Sequence, residues 1–197
     1  SIVFQPQVTD LEEVPQYTLL AASAMVAALE AASGQKLRIK WVNDLFCRGR
    51  KIGGILTEAT TDIESRSLSS IIIGIGLNLS GDFSQAEAAT QSVAGTLFGQ
   101  EMPNDFNPNQ VIHDYLKQLA YYIRTLSDKT YLPHYEEHLL GVGRQVSYQQ
   151  AGQEYTGIIQ GITDQGHLLV QDPHGQIRTL FSQEVHFSSQ QFADDLD

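Results

Sequence analysis

One nonapeptide constrains this chain more than any bulk property does: Ile71-Ile72-Ile73-Gly74-Ile75-Gly76-Leu77-Asn78-Leu79. Its β-branched isoleucines favour an extended backbone, and we expect a central strand over Ser69–Leu79. Alternation along a strand places Ile73, Ile75, Leu77 and Leu79 on one face and Gly74, Gly76 and Asn78 on the other. A glycine inside a strand costs roughly 0.5–1 kcal/mol relative to alanine, so two on one face call for something that approaches the backbone closely. A helix could pack there, with Asn78 bridging a turn; equally, a flat ligand could lie on the bare floor and be oriented by the amide. The pattern is not a dinucleotide fingerprint, since the third glycine and the following helix are missing.

Two further stretches carry chemistry. In Lys40-Trp41-Val42-Asn43-Asp44-Leu45, extended backbone would put Trp41 and Asn43 on one face and Lys40 and Asp44 on the other. Asn-Asp at a strand end is common turn chemistry, while Asn43 and Asp44 also offer oxygens suited to ribose, to amines or to Mg²⁺. In Arg50-Lys51-Ile52-Gly53-Gly54-Ile55-Leu56-Thr57-Glu58, Lys51 is expected on the same face as Gly53. An ammonium beside a bare floor suits a carboxylate or phosphate that gains charge during reaction, though a solvated lysine after a hairpin is the commoner case.

Around these stretches we expect a strand over Ser1–Gln7 and, behind Pro15, a helix from Tyr17 to Ala32 closed by Gly34. Strands over Leu37–Phe46 and Lys51–Glu58 would be joined by the hairpin Cys47–Arg50. A short helix fits Ala88–Phe98. Asn109–Leu126 is the clearest amphipathic helix, with Val111, Ile112, Tyr115, Leu119, Tyr122, Ile123 and Leu126 in one stripe, and Leu132–Leu140 forms another. After Gly141-Val142-Gly143 only short strands remain: Gln145–Tyr148, Glu154–Thr163, His167–Gln171, Gln176–Phe181 and Glu184–Phe187. They describe a small antiparallel barrel of SH3-like size. The expected division is therefore 1–140, then the barrel 141–188, then an acidic tail 189–197 that frays.

With 197 residues, 42% of them hydrophobic, the chain can bury a substantial core. A formal charge of −11 opposes phosphate backbones, so no nucleic-acid partner is expected for this segment. No apolar run approaches the roughly 20 residues needed to span a bilayer, and no signal peptide is visible. The single Cys47 suits a reducing compartment, so the expected location is the cytoplasm. The six histidines lack metal-ligand spacing; His134 and His138 stand one helical turn apart, which fits packing. The polar start, Ser1-Ile2-Val3-Phe4-Gln5-Pro6, reads as a strand entered partway, with something ahead of it.

Together, Lys40–Leu45, Gly49–Glu58 and Ile73–Leu79 resemble the central motifs of the biotin–protein ligases, approximately KWPNDL, GRKxxGIL(T/V)E and IGxGxN, in the same order and at similar spacing. The resemblance covers essentially the whole chain. It implies an α+β fold: a mixed or antiparallel sheet with helices, like class II aminoacyl-tRNA synthetases and biotin synthetases, followed by the SH3-like barrel. It implies an enzyme that joins biotin to ATP as biotinyl-5′-AMP, with Mg²⁺, and passes biotin to a carrier lysine of acetyl-CoA carboxylase or another biotin-dependent carboxylase. By this resemblance Lys51 and Asp44 are catalytic: Lys51 holds biotin's carboxylate and the activated phosphate, and Asp44 orients the incoming amine. Gly53, Gly54, Gly74 and Gly76 line the biotin, while Asn43, Asn78 and Trp41 contact the nucleotide, the two asparagines also its metal. A homodimer through the central sheet is implied as well.

The chain departs from the family in having Val42 where the motif has proline. Family members also carry a Ser/Thr-rich segment and a glycine- and arginine-rich loop ahead of the first strand. Neither occurs between Ser1 and Asp197, so this segment would hold half a site and turn over poorly alone. The competing readings are a lipoate–protein ligase, which shares the fold but whose motifs are not found, and a non-catalytic binding or dimerisation module.

Overall fold

The computed structural model describes residues 1–6, 13–61 and 68–193. Its first sheet is antiparallel and five-stranded. Its strands are β1 (Ile2–Phe4), β2 (Arg38–Lys40), β3 (Asp44–Cys47), β4 (Arg50–Thr61) and β5 (Leu68–Leu77), in the order β1-β5-β4-β3-β2. The glycine-bearing strand β5 is thus interior, as its isoleucines suggest, although it ends two residues early and releases Asn78 into a loop. The end of the expected first strand, Gln7, lies outside the described residues.

One face of this sheet is covered by helices. Helix α1 (Val14–Ser33) starts three residues earlier than expected because Pro15 sits within its first turn, where a missing N–H is harmless. It ends at Gly34, whose φ of 65° lets its N–H reach Glu30 O at 2.9 Å. Leu19 through Val26 are buried without a polar face, as befits a helix in the centre of a core. Helix α3 (Pro108–Arg124) lies against α1 and is capped by Asn107, which accepts the Asn109 N–H at 3.0 Å. Val111, Tyr115, Leu119 and Tyr122 form its buried stripe; Ile112, expected there, is 54% exposed and lines an open apolar cleft shared with Ile73, Ile75 and Leu77 of β5.

Helix α2 (Ala88–Val93) stops five residues short of the expected Phe98, and α4 (Leu132–Glu137) three short of Leu140. His134 and His138 are packing residues: the rings stack at 4.2 Å, His134 Nδ1 pairs with Ser23 Oγ and His138 Nε2 with Glu30 of α1.

The expected strand Leu37–Phe46 is two strands. Residues Trp41-Val42-Asn43 form a turn between β2 and β3, so Lys40 and Asp44 face each other across the ladder. The β3–β4 hairpin is as expected, with positive φ at both Arg48 and Gly49, the primed two-residue turn that suits strand twist.

The second sheet holds the five short strands that follow Gly143: β6 (Gln145–Gln150), β7 (Gln153–Ile162), β8 (Leu168–Gln171), β9 (Ile177–Leu180) and β10 (Val185–His186), ordered β10-β6-β7-β8-β9 and all antiparallel. Among the described residues β9 and β10 remain edges. Val146, Tyr148, Ile159, Val170 and Leu180 make its core. The tail does not fray from Ser189: a 3-10 turn (Ser189–Phe192) packs back, with Phe192 2% exposed against Gly141 and Gln191 bonded to both backbone groups of Ser147. Residues 194–197 lie outside the described residues. No helix among those described is long and apolar enough to cross a membrane.

Candidate functional site

The open face of the first sheet carries a row of three registered residues: Asp44 on β3 pairs with Gly54 on β4, which pairs with Gly76 on β5. Two successive partners without side chains leave a trough beside a carboxylate. A Cβ placed on Gly76 would meet nothing within 4 Å, so that floor is bare. One on Gly54 would lie 3.5 Å from Asp44 Oδ1 and 3.8 Å from Lys51 Cε. Gly53 serves a different purpose. Its Cβ would stand 2.4 Å from Gly76 O, so its smallness lets two strands close up.

Lys51 therefore neighbours Gly54 rather than sharing a face with Gly53 as simple alternation predicts. The reason is a bulge in the β3–β4 ladder at Leu45/Phe46, which skips Ile52 and shifts the facing of everything after it. The Lys51 ammonium lies 2.5 Å from Asp44 Oδ1, and its side chain is 38% exposed. The second carboxylate oxygen of Asp44 takes the ammonium of Lys40 at 3.3 Å. Lys40 is 9% exposed and also donates to Ser189 Oγ at 2.9 Å. Burial pushes the Lys40 ammonium below the ordinary lysine range, against the upward pull of Asp44. Burial, with Asp44 nearby, holds the Tyr135 hydroxyl neutral. That hydroxyl donates to Val42 O at 3.0 Å and fixes the turn.

A cleft of about 420 Å³ opens over this row, lined by Lys51, Gly53, Gly54, Gly76 and Asn78 on the sheet side and by Phe83, Thr90, Val93 and Ala94 opposite. The far wall is tied down by the sheet itself. Asn78 donates through Nδ2 to Gly95 O at 3.2 Å and accepts the Leu97 N–H at 2.9 Å, and Gly95 N donates to Lys51 O at 2.9 Å. Arg50 closes α2 by donating to Gln91 O and Ser92 O, each at 2.8 Å, where a cation satisfies the carbonyl end of a helix.

The structure thus gathers Lys51, Gly53, Gly54, Gly76 and Asn78 at one cleft, with Asp44 beside it and paired to Lys51. Gly74 lies further along the same face, beyond the cleft, with Ser1 Oγ 3.5 Å from where its Cβ would be. Asn43 is committed to the fold: its backbone O accepts the Ile55 N–H at 3.0 Å and its Nδ2 donates to Ile55 O at 2.8 Å. Trp41 is not among the residues that line the cleft. The residue is 8% exposed, its indole N–H donates to Gly166 O at 2.9 Å and its ring meets Phe187 edge-on, so it joins the two sheets.

Sequence reasoning passed over Lys40, Arg50 and the wall 83–95. The wall lacks any periodicity to betray it, and Lys40 becomes the cross-strand partner of Asp44 only through the turn at 41–43, which the run conceals by reading as extended. A divalent cation at Asp44 would face two ammonium groups already in place. Among the described residues no three His, Cys, Asp or Glu side chains converge as a metal site.

The model of the biotin/lipoate A/B protein ligase family matches residues 1–78, and that of the biotin protein ligase C-terminal domain matches residues 141–188. The Bacillus spizizenii bifunctional ligase/repressor BirA is 31% identical over 188 residues, covering 94% of this chain and 56% of the relative. The Paracoccus denitrificans biotin–[acetyl-CoA-carboxylase] ligase is 26% identical, covering 95% of this chain and 78% of the relative. A solved structure of the Aquifex aeolicus biotin protein ligase in complex with biotin and ATP superposes with a TM-score of 0.73 at 22% identity, over 95% of this chain and 77% of that one. This chain spans a little over half the length of the Bacillus relative.

Proposed function

We infer, from the premise that this chain belongs to the biotin–protein ligase family, that the protein activates biotin with ATP and transfers it to a lysine of a biotin carrier domain. The observation that carries the reading is the row Asp44–Gly54–Gly76 with the Lys51 ammonium at its end. A flat, uncharged ring system needs a floor without side chains, and the carboxylate at the end of its tail needs a cation within reach. The cleft supplies both.

In the first step the biotin carboxylate attacks the α-phosphorus of ATP, forming a C–O–P linkage and expelling pyrophosphate. Lys51 stabilises charge that gathers on the phosphoryl oxygens. Mg²⁺ enters with the triphosphate as part of the substrate. In the second step the neutral ε-amine of the carrier lysine attacks the biotinyl carbonyl, the bond from that carbonyl carbon to the phosphate oxygen breaks, AMP leaves with its electron pair, and the nitrogen's surplus proton passes to solvent. Asp44 accepts a hydrogen bond from that amine and orients it. Catalysis is positioning and charge stabilisation, without a covalent enzyme intermediate. Asn78, at the lip of the cleft, is assigned to the nucleotide end; Gly74 extends the floor. Asn43 we assign to holding the turn that presents Asp44.

The name of the Paracoccus relative supports acetyl-CoA carboxylase as the class of acceptor, and the Aquifex complex supports biotin and ATP as the small substrates. The cytoplasm, where ATP and carboxylases meet, is the proposed location. Self-association along the edge strand β1, where Val3 is 65% exposed, belongs to the same reading.

The test is calorimetric titration of the full-length protein with a non-hydrolysable biotinyl-adenylate mimic, repeated with its lipoyl counterpart. Lys51→Ala and Asn78→Ala should each weaken the biotinyl mimic by about tenfold or more, the usual loss for a charge-assisted or buried hydrogen bond. Absence of binding, or preference for the lipoyl compound, would overturn the assignment.

A further inference from the structure

The ammonium that must meet the ligand is already occupied. Lys51 lies against Asp44, and drawing it onto a ligand anion would strip a carboxylate whose side chain is only 12% exposed. A buried charge left without a partner is strongly unfavourable. If Lys51 and Asp44 stood alone, the pair would be self-neutralised and would resist an anion.

They do not stand alone. Lys40 reaches the other oxygen of the same carboxylate, giving the cluster a net charge of +1, the complement of one carboxylate. Lys40 cannot itself swing to the ligand. Its side chain is 11% exposed, and its Nζ is fixed between Asp44 Oδ2 and Ser189 Oγ at 3.3 and 2.9 Å. Ser189 belongs to the 3-10 turn beyond the second sheet, which buried Phe192 and the Gln191–Ser147 bonds lock in place. Tyr135 on α4 holds the intervening turn through Val42 O.

We propose that Lys40, anchored by Ser189, is a positioning residue: the permanent counter-ion of Asp44 that releases Lys51 to bind the carboxylate of the substrate. The inference rests on the ligase reading above. It makes the C-terminal turn, through its bond to Lys40, a determinant of how well the first sheet holds an anion.

The experiment compares two probes on the full-length protein by calorimetry: biotin, which carries the carboxylate, and biotinol, its neutral alcohol. Lys40→Met should weaken biotin by about tenfold while leaving biotinol within about twofold, because only the anion needs Lys51 released. Lys40→Arg should restore most of the loss. Ser189→Ala, which removes one anchor and no charge, should weaken biotin selectively by about threefold, and Ser189→Thr should recover it. Equal losses for both probes in Lys40→Met and Ser189→Ala would mean a merely structural role and overturn the proposal, as would no loss in either. Failure of the wild-type protein to bind biotin or biotinol would overturn the ligase reading and this inference with it. Normal wild-type binding with an unchanged biotin-to-biotinol ratio in the variants would overturn this inference alone.

Discussion

Gly76 and Gly53 are one residue apart in register yet should respond in opposite ways to an added side chain. At Gly76 a Cβ meets nothing within 4 Å. Gly76→Val therefore exchanges a poor strand former for a good one in open space, which should stabilise the fold by about 1 kcal/mol. For a chain of this size that raises Tm by about 2–4 °C. The same valine stands on the floor of the cleft, between Gly54 and the lip at Asn78. A ligand lifted by even about 1 Å loses on the order of a hundredfold in productive fit, or about 2.7 kcal/mol. Gly53→Ala reverses the pattern. Its methyl would sit 2.4 Å from Gly76 O, a carbonyl held in the β4–β5 ladder, and overpacking of this kind costs about 1–3 kcal/mol. Thermal denaturation and titration with the biotinyl-adenylate mimic read the two effects separately. Gly76→Val should melt higher and bind at least about a hundredfold more weakly. A Gly76→Val protein that binds within a few-fold of wild type would show that the ligand does not lie on this floor. One that melts lower would show that the open face is not open.

Three more outcomes follow from the packing. Trp41→Phe keeps the edge contact with Phe187 but leaves Gly166 O without its donor, so denaturant unfolding should show a loss of about 1–3 kcal/mol. Asn107→Ala removes the cap of α3 and should cost about 1 kcal/mol by the same assay, whereas Asn107→Asp should be nearly neutral. In alkali the buried tyrosines decide the sign. Burial raises the phenols of Tyr115, Tyr131 and Tyr135 above the ordinary 10.0, so their contribution is intact below pH 10 and is lost as pH rises beyond it, by up to about 1.4 kcal/mol per pH unit for each. Tyr17, Tyr148 and the Cys47 thiol are raised by burial as well, and Lys40, with a lowered pKa, works oppositely in the window below 10.5 as one group against six. Stability measured from pH 8 to 11 should therefore fall steeply above 10; a flat profile would contradict the burial of these hydroxyls.

Much of the fold was legible because strand and helix periods are short-range signals. The isoleucines of β5, the alanine- and leucine-rich α1 with its terminal glycine, and the turn-rich spacing after Gly143 each pointed to the element that forms. What escaped depended on contacts distant in sequence. The turn at Trp41–Asn43 is hidden in a run that reads as extended, because its stability comes from Ile55 and Tyr135. The bulge beside Leu45 cannot be seen in alternation, yet it decides that Lys51 neighbours Gly54. Ile112 fits the helical stripe by spacing, yet it stays exposed because the space between it and β5 is an open cleft. Of the site, Asp44, Lys51 and the glycines were readable as residue types that suit a ligand; Lys40's tie to Ser189, 149 residues on, was not.

The side chain of Gln191 has a consequence for how copies of this molecule meet in concentrated solution. Strand β10 shields only the Gln149–Gln150 end of β6, so the outward N–H and C=O of Ser147 would present a template for a foreign strand. Gln191 fills that position with a carboxamide, which accepts the N–H at 2.9 Å and donates to the C=O at 3.0 Å, as a passing peptide unit would. One primary amide thus serves as a strand a single residue long, and it finishes a border that would otherwise invite stacking into aggregates. A glutamate there could accept but not donate, and the border would reopen at the Ser147 carbonyl.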